Sequence, residues 1–296
     1  MHEDSSKLLT VPNFMEGSDE RTVDALEATI AGRCAVLDCH MDPRHDRTVI
    51  TALADEEALI GALPSAVEQA AELIDISSGE GLHPHVGATD VCPIVYPNSE
   101  TRQLARETAL EVARRIGESG IPVFLYGELA TSDERVERAF FRTGGIEALT
   151  RRMEGGDLLP DFGPSAPHPT AGVTLVTARP PLVAFNLELD TPDLEVAKDV
   201  AARLRESGGG PTGVRAIGLP WTEGRTQISV NIGDPVAVPL HEVVSITRRL
   251  AGEHGAEVIA AELVGLAPDR ALDGYPEDLP IEGFDADRKV IERLLV

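Results

Sequence analysis

Basic residues are scarce in this sequence. Its 26 lysines and arginines face 50 aspartates and glutamates, giving a formal net charge of −24 over 296 residues. A surface of that sign repels nucleic-acid phosphates and anionic lipid head groups. We therefore expect neither nucleic acid nor a membrane as a partner, and an anionic substrate would need a local group of cations.

Cysteines are also few, and long apolar runs are absent. The three cysteines, Cys34, Cys39 and Cys92, form no CxxC pair, which argues against a disulfide framework or a zinc ribbon. No apolar run approaches the roughly 18 residues that a membrane helix needs. The amino terminus is polar and acidic, unlike a signal peptide. These absences predict a cytoplasmic protein.

Several catalytic motifs are missing as well. The sequence contains no GxxxxGK[ST] loop, no GxGxxG after a strand and no GxSxG elbow. These absences argue against nucleotide cofactors and against a serine hydrolase.

Short runs rich in Val, Ile and Leu, fenced by turn residues, predict an α/β protein. Asp19 (or Ser18) and Asp55 precede two of the helical segments as possible N-caps. The predicted strands are 7–13, 34–39, 47–53, 91–96, 122–127, 173–178, 181–189, 214–219, 226–233 and 257–264.

The second half has the clearest order of elements. From residue 181 to 264 the order is βαββαβ, which is that of a ferredoxin-like fold. The sequence therefore predicts two α/β subdomains, 1–172 and 173–296. They are joined through 155–172, where composition alone favours a linker over an ordered loop.

Residues 79–93, GEGLHPHVGATDVCP, form the densest group of chemically capable side chains. Two imidazoles, a carboxylate and a thiol lie among glycines and prolines, which give a loop an unusual backbone path. Histidine titrates near neutral pH and therefore suits proton transfer. A surface turn that happens to contain histidine is the alternative.

A second group, DCHMDPRHDRT at 38–48, follows a predicted strand. It raises the question of a metal, since the two groups together hold four of the eight histidines. Their spacing matches no established ligand pattern, and Pro84 restricts its neighbours His83 and His85. We expect no metal.

Taken together, these segments resemble the formiminotransferase domain of glutamate formiminotransferases. The resemblance covers roughly residues 8–295 and implies a transferase domain without the cyclodeaminase domain of bifunctional relatives. The motifs that carry it, in the family's order, are VPNFMEG at 11–17, DPRHDRTVIT at 42–51, LIDISSGEGLHPHVGATDVCPIV at 73–95, LYGELA at 125–130, DFGPSAPHPTAG at 161–172, AFNLEL at 184–189, QISVNIGD at 227–234 and ELVGLAP at 262–268.

The resemblance implies two α/β subdomains with their sheets face to face, helices outside, and a folate tunnel between them. It also implies a cytoplasmic homodimer, a role in histidine degradation, and tetrahydrofolate as the acceptor of a formimino or formyl group from an amino acid such as glutamate. His83 would be the general acid/base. The folate-binding residues would be Gly163, Pro164, Ser165, Ala166, Pro167, His168, Pro169, Thr170, Ala171 and Gly172, and the substrate-binding candidates are Asn13, His40, Arg47, His85, Arg179 and Asn186.

The chain departs from the family pattern near the expected catalytic position. Leu82 and His85 replace a glutamate and an arginine, and His40 replaces an aspartate. Losing a guanidinium changes how a carboxylate is held. Two alternatives therefore stay open: a transferase with another donor, including one that handles 5-formyltetrahydrofolate, and a non-catalytic folate-binding or regulatory paralogue.

Overall fold

The computed structural model describes residues 7–77, 85–222 and 224–294. The chain divides into two compact units, Met1–Pro180 and Pro181–Val296. The division lies eight residues after the predicted boundary of 172/173. Residues 174–179 form a strand that pairs with two strands of the first unit, and this long-range pairing moves the boundary.

The first unit contains a seven-stranded mixed sheet. Its strands are β1 Leu8–Thr10, β2 Asn13–Phe14, β3 Ala35–Asp42, β4 Arg47–Ala54, β5 Thr89–Val95, β6 Val123–Leu125 and β7 Thr174–Arg179, and the helices are α1 Glu20–Ala31, α2 Glu56–Leu73, α3 Arg102–Glu118, α4 Ala139–Arg142 and α5 Gly145–Glu154. Across the sheet, β3 pairs with β4, β4 and β5 both pair with β1 and with β2, and β5 is followed by β7 and β6. The pairs β5–β7 and β6–β7 are parallel and the others are antiparallel.

Local signals explain where the first helices begin. Asp19 accepts a hydrogen bond from the backbone N–H of Arg21, and Asp55 accepts one from Ala58, so both predicted aspartate caps are confirmed. The predicted strand 7–13 is interrupted, because Pro12 has no N–H to give to a ladder. Its two parts, β1 and β2, each pair with β4 and β5.

Two apolar clusters flank this sheet. One joins alternate strand residues such as Ile50, Cys92 and Ile94 to α1, α2 and α3. The other, on the opposite face, gathers Val91 and Leu175 with Phe124 and residues of α4 and α5. The alternation follows from the two-residue period of side chains in strands.

The second unit is the predicted ferredoxin-like fold. Its strands are β8 Val183–Leu189, β9 Val214–Pro220, β10 Thr226–Ile232 and β11 Val258–Val264, and the helices are α6 Leu194–Leu204, α7 Leu240–Gly252, α8 Ala286–Lys289 and α9 Ile291–Leu294. The four strands form an antiparallel sheet in the order β11-β8-β10-β9, with the first and third strands of the βαββαβ unit in the centre.

One face of this second sheet is apolar. Phe185, Leu187 and Ile228 are fully buried there in a cluster with residues of α6 and α7. Among the described residues of the whole chain, no helix is long and apolar enough to cross a membrane.

Candidate active site

Several sequence motifs meet at one edge of the seven-stranded sheet. Val91 lies opposite Leu175 in the parallel pair β5–β7, so the segments that precede these two strands reach the sheet at the same edge. Phe14 pairs with both Thr48 and Thr89, which places the start of β4 there too. We call this the motif edge and define it as residues 15–17, 42–48, 85–88 and 168–173.

The β3–β4 turn at the motif edge is organised by Asp42. Its Oδ1 accepts hydrogen bonds from the backbone N–H groups of Arg44 and His45, each at 3.1 Å. Its Oδ2 lies 2.5 Å from Nδ1 of His45, and both side chains are buried. Burial alone would raise the pKa of Asp42, but the hydrogen bonds from His45 and the charges of His45 and Arg47 outweigh it and lower the pKa to about 2.

The segment after β2 packs directly on this turn. The backbone N–H of Gly17 donates to Asp46 Oδ1 at 3.2 Å, and Thr48 Oγ1 donates to the carbonyl of Glu16 at 2.6 Å. A Cβ atom at Gly17 would lie 2.3 Å from the carbonyl oxygen of Asp42. Only glycine permits this approach, which explains why the VPNFMEG and DPRHDRT segments lie together.

The 168–173 segment holds the chain on both sides of residues 78–84. The N–H of Ile76 donates to the carbonyl of Thr170 at 2.9 Å. On the other side, the N–H of Ala88 donates to Ala171 at 2.9 Å, and the N–H of Val173 donates to Val86 at 3.0 Å. The described residues before and after 78–84 are therefore bonded to the same segment of the motif edge.

His83 itself, with Leu82, lies outside the described residues. His85 is described and is half-buried just before the buried Val86. Two glycines make the approach to the 168–173 segment possible. A Cβ at Gly87 would lie 1.8 Å from the carbonyl oxygen of Val173, and one at Gly172 would lie 2.2 Å from that of Val86.

The 155–172 stretch ends in an ordered loop, contrary to the linker favoured by its composition. Phe162 and β6 exchange backbone hydrogen bonds at Val123, and Gly163, with a φ of 87°, lies against Gly117 of α3. Ordering requires these long-range hydrogen bonds, which composition does not reveal.

The ten residues of the expected folate-binding loop differ in exposure. Positions 163–166 and Pro169 are exposed, Pro167, His168 and Thr170 are half-buried, and Ala171 and Gly172 are buried. The Nδ1 atom of His168 accepts the N–H of Ala171 at 3.1 Å, so its ring closes the 168–172 turn. The ring lines a surface depression together with Glu68 and Glu72 of α2.

Asn13 and His40 lie in one row across the sheet. Each is opposite Val49 of β4, Asn13 from β2 and His40 from β3. Opposite residues of an antiparallel pair share a face, so both side chains point away from α1, α2 and α3, about 10 Å apart. The Asn13 amide donates to the carbonyl of Val11 at 3.0 Å, a local structural role.

Arg47 belongs to the same face, two residues along β4 from Val49. It is buried, lies opposite Asp42 and contributes to the low pKa of that carboxyl group. The motif edge thus holds Arg47 beside the turn, next to the row that contains Asn13 and His40.

Two candidates lie elsewhere. Arg179 is at the far end of β7, four residues and about 13 Å beyond Leu175. Burial, together with the charge of Arg138, lowers the pKa of Arg179 to about 10. Asn186 belongs to the second unit, where it is 1% exposed and its amide donates to Glu262 at 2.8 Å.

The thiols are not activated. Burial raises the pKa of Cys34 to about 11 and that of Cys92 to about 12. Burial, followed by a hydrogen bond with Glu27, raises the pKa of Cys39 to about 12. A thiol that stays protonated is a poor nucleophile. Within the described ranges, no group of three or more His, Cys, Asp or Glu residues is arranged to hold a metal ion.

The residue that sequence reasoning missed is Arg142. It forms an ion pair with Asp90 on β5, and Asp90 also accepts the N–H of Val86 at 2.8 Å. Asp90 was visible as the carboxylate of the 79–93 group, but its partner is 52 positions away. No local pattern marks such a pair.

Comparisons with known proteins agree across both units. Residues 7–179 match the formiminotransferase domain, N-terminal subdomain, and residues 184–274 match the formiminotransferase domain. A glutamate formimidoyltransferase of Streptococcus pyogenes is 38% identical, with 97% of each chain covered. One of Thermoplasma acidophilum is 34% identical, covering 96% of this chain and 95% of the relative. The formimidoyltransferase-cyclodeaminase of Sus scrofa is 37% identical over 88% of this chain, which spans 50% of that relative.

Proposed function

Because the chain belongs to the formiminotransferase family and is a transferase, we propose that it moves a formimino group between glutamate and tetrahydrofolate. We propose glutamate because the two relatives that match along nearly their whole length are named glutamate formimidoyltransferase. Tetrahydrofolate is a substrate here, not a resident cofactor. The proposal places the protein in histidine degradation.

The reaction defines what the protein must supply. N5 of tetrahydrofolate attacks the amidine carbon of formiminoglutamate and forms a tetrahedral intermediate. The bond from that carbon to the glutamate nitrogen then breaks. N5 must lose a proton and the departing amine must gain one, so a single imidazole that accepts the first proton can return it to the amine. We assign this role to His83.

The observation that carries the assignment is the attachment of both flanks of residues 78–84 to the 168–173 segment. His83 is three residues from Val86, whose carbonyl accepts the N–H of Val173. Three residues of chain span at most about 11 Å, which supports our proposal that the imidazole works beside the end of the expected folate-binding loop. General acid/base and folate loop are thereby candidates for one site.

Within that loop, side-chain exposure divides the roles. Residues 163–166 are exposed and small, so we propose that they face the folate rings. Ala171 and Gly172 are buried and act through their backbone, which ties the loop to Ala88 and Val86. His168 shapes the turn through its bond with Ala171.

We propose Arg47 as the cation at the motif edge that attracts a substrate carboxylate in this acidic protein. Asn13, His40 and His85 lie along or next to the same edge and are proposed to contact substrate there. Arg179, at the other end of β7, is proposed to bind a second carboxylate. Asn186 already donates to Glu262, so its proposed substrate contact would use the remaining amide hydrogen or oxygen.

A second candidate function is transfer from a donor other than glutamate. The observation that favours it is the pair Leu82 and His85, where the family usually has glutamate and arginine. An imidazole offers fewer donors to a carboxylate than a guanidinium does. Formiminoglutamate, other formimino amino acids and 5-formyltetrahydrofolate should therefore be compared as substrates, in the parent chain and in His85→Arg.

The deciding experiment measures glutamate release from formiminoglutamate in the presence of tetrahydrofolate. We expect His83→Asn to lower kcat by about 10²- to 10⁴-fold with folinate binding retained, since the imidazole moves protons. His254→Asn is the control, because that histidine pairs with Asp199 in the second unit at 2.9 Å. Folinate binding without turnover of any of these substrates would favour the non-catalytic paralogue.

We also propose that the protein works as a homodimer in the cytoplasm. Light scattering of the purified chain tests the first point, and fractionation of cells that express it tests the second. A monomer that turns over at full rate would overturn the first.

A further inference from the structure

Asp90 uses its two carboxylate oxygens for two different partners. It lies on β5 and is 1% exposed. Oδ1 accepts the backbone N–H of Val86 at 2.8 Å, and Oδ2 pairs with the guanidinium of Arg142. A carboxylate buried to this degree needs such partners, because an uncompensated buried charge is strongly destabilising.

Arg142 is placed by the packing of α4. The ring of Phe141, its neighbour, lies 5.2 Å from that of Phe124 on β6, centroid to centroid. Arg152 of α5 donates to the carbonyl of Phe140 at 2.6 Å and stacks 4.2 Å from that ring. Helix α4 is thereby fixed to the sheet and to α5, and the Arg142 side chain is only 12% exposed.

Val86 is consequently held at both of its backbone polar groups. Its N–H is bound by Asp90 and its carbonyl by Val173. Val86 itself is fully buried. Val86 is three residues after position 83 in the sequence, and the ion pair of Asp90 with Arg142 is the charged part of what holds it.

From this arrangement we propose that Asp90 and Arg142 are positioning residues for His83. They fix the chain at Val86 and thereby set where the imidazole is delivered. The inference rests on the proposed function. Displacing a reacting group by about 1 Å costs on the order of 10²-fold in rate, so the effect belongs in kcat.

The test uses Arg142→Leu and Asp90→Asn in the full chain. In Asp90→Asn one of the two donors, Val86 N–H or Arg142, must face the amide NH₂ group, so one contact is lost. We expect kcat for formiminoglutamate to fall about 10- to 100-fold in both variants, with KM for tetrahydrofolate changed less than about 3-fold. Added ethylguanidinium should restore part of the activity of Arg142→Leu.

Arg225→Leu is the control. Arg225 pairs with Glu188 of the second unit at 2.9 Å, and the Glu188 side chain is 10% exposed, so this variant also breaks an ion pair to a shielded carboxylate. Arg135→Leu would be unsuitable, because the Arg135 guanidinium lies over the rings of Phe124 and Phe141, which place α4. The control should lose stability while keeping kcat and showing no response to ethylguanidinium.

Amide hydrogen exchange at Val86 gives a readout that does not depend on activity. Its protection should fall in Asp90→Asn and Arg142→Leu and stay unchanged in Arg225→Leu. A parent chain without turnover would refute the proposed function. An active parent with unchanged kcat or unchanged Val86 protection in the two variants would refute this inference alone.

Discussion

Gly87→Ala should displace the chain between residues 78–84 and β5. A Cβ at this position would lie 1.8 Å from the carbonyl oxygen of Val173 and 3.2 Å from that of Ala171, and both are backbone atoms. The two neighbouring segments, around Gly87 and around Val173, must therefore separate by about 1 Å, since real Cβ contacts do not fall below roughly 3.0 Å. The φ of Gly87 is not positive, so the strain comes from the clash alone.

The expected loss follows from the hydrogen bonds beside the clash. Separation stretches Val173 N–H to Val86 at 3.0 Å and Ala88 N–H to Ala171 at 2.9 Å. Losing a buried backbone hydrogen bond costs about 1–3 kcal/mol, so the loss of both should lower the free energy of unfolding by about 2–6 kcal/mol. For a unit of this size, that lowers Tm by about 5–25 °C.

The assay is thermal unfolding followed by circular dichroism, with kcat measured at a temperature where the variant is folded. Gly32→Ala is the control, because its Cβ would meet no atom closer than 3.5 Å and its φ of −60° suits alanine. It should lose no stability. A Gly87→Ala protein with parental Tm and parental kcat would refute the view that this close approach holds the chain next to residues 78–84.

Two further predictions concern buried carboxylates. Asp42→Asn should lower the free energy of unfolding by about 2 kcal/mol at pH 7, because the folded pKa of about 2 lies below the unfolded value of 3.8. That contribution is complete above pH about 4 and falls as pH drops through about 2. Urea unfolding at pH 7 and pH 3 should therefore show a difference about half as large at pH 3, and a constant difference would contradict the role of the His45 pair. Glu188→Leu should cost about 1–3 kcal/mol and shift the emission of Trp221, the only tryptophan, because Glu188 accepts from the indole at 2.6 Å and from Arg225 at 2.9 Å. Glu188→Gln keeps an acceptor and should shift the emission less; equal shifts would argue against the indole contact.

Much of the fold could be predicted because it depends on neighbours in sequence. The βαββαβ order of the second unit follows from changes of hydrophobic period between turns. The starts of α1 and α2 follow from Asp19 and Asp55, which bind N–H groups two or three residues away. The family motifs are likewise short continuous segments.

Features that depend on pairing between distant segments could not be predicted from local patterns. Strand β7 follows the expected folate-binding loop, but its partners are β5 and β6, so the first unit extends to Pro180. The stretch before β7 has the composition of a linker, and only its bonds to Val123 and Gly117 give it order. The sequence groups Arg179 with the other substrate-binding candidates, and only its position in β7 shows that it lies at the far end of that strand.

The sequence by itself determined the family, the α/β class, the βαββαβ unit and the segments that contain the family motifs, because each is encoded in adjacent residues. Only the tertiary structure decided that four of those segments meet at one edge, that the 168–173 segment holds both sides of residues 78–84, and that Asp90 pairs with Arg142. Those contacts join residues tens of positions apart, and such proximity depends on strand order and register instead of local pattern.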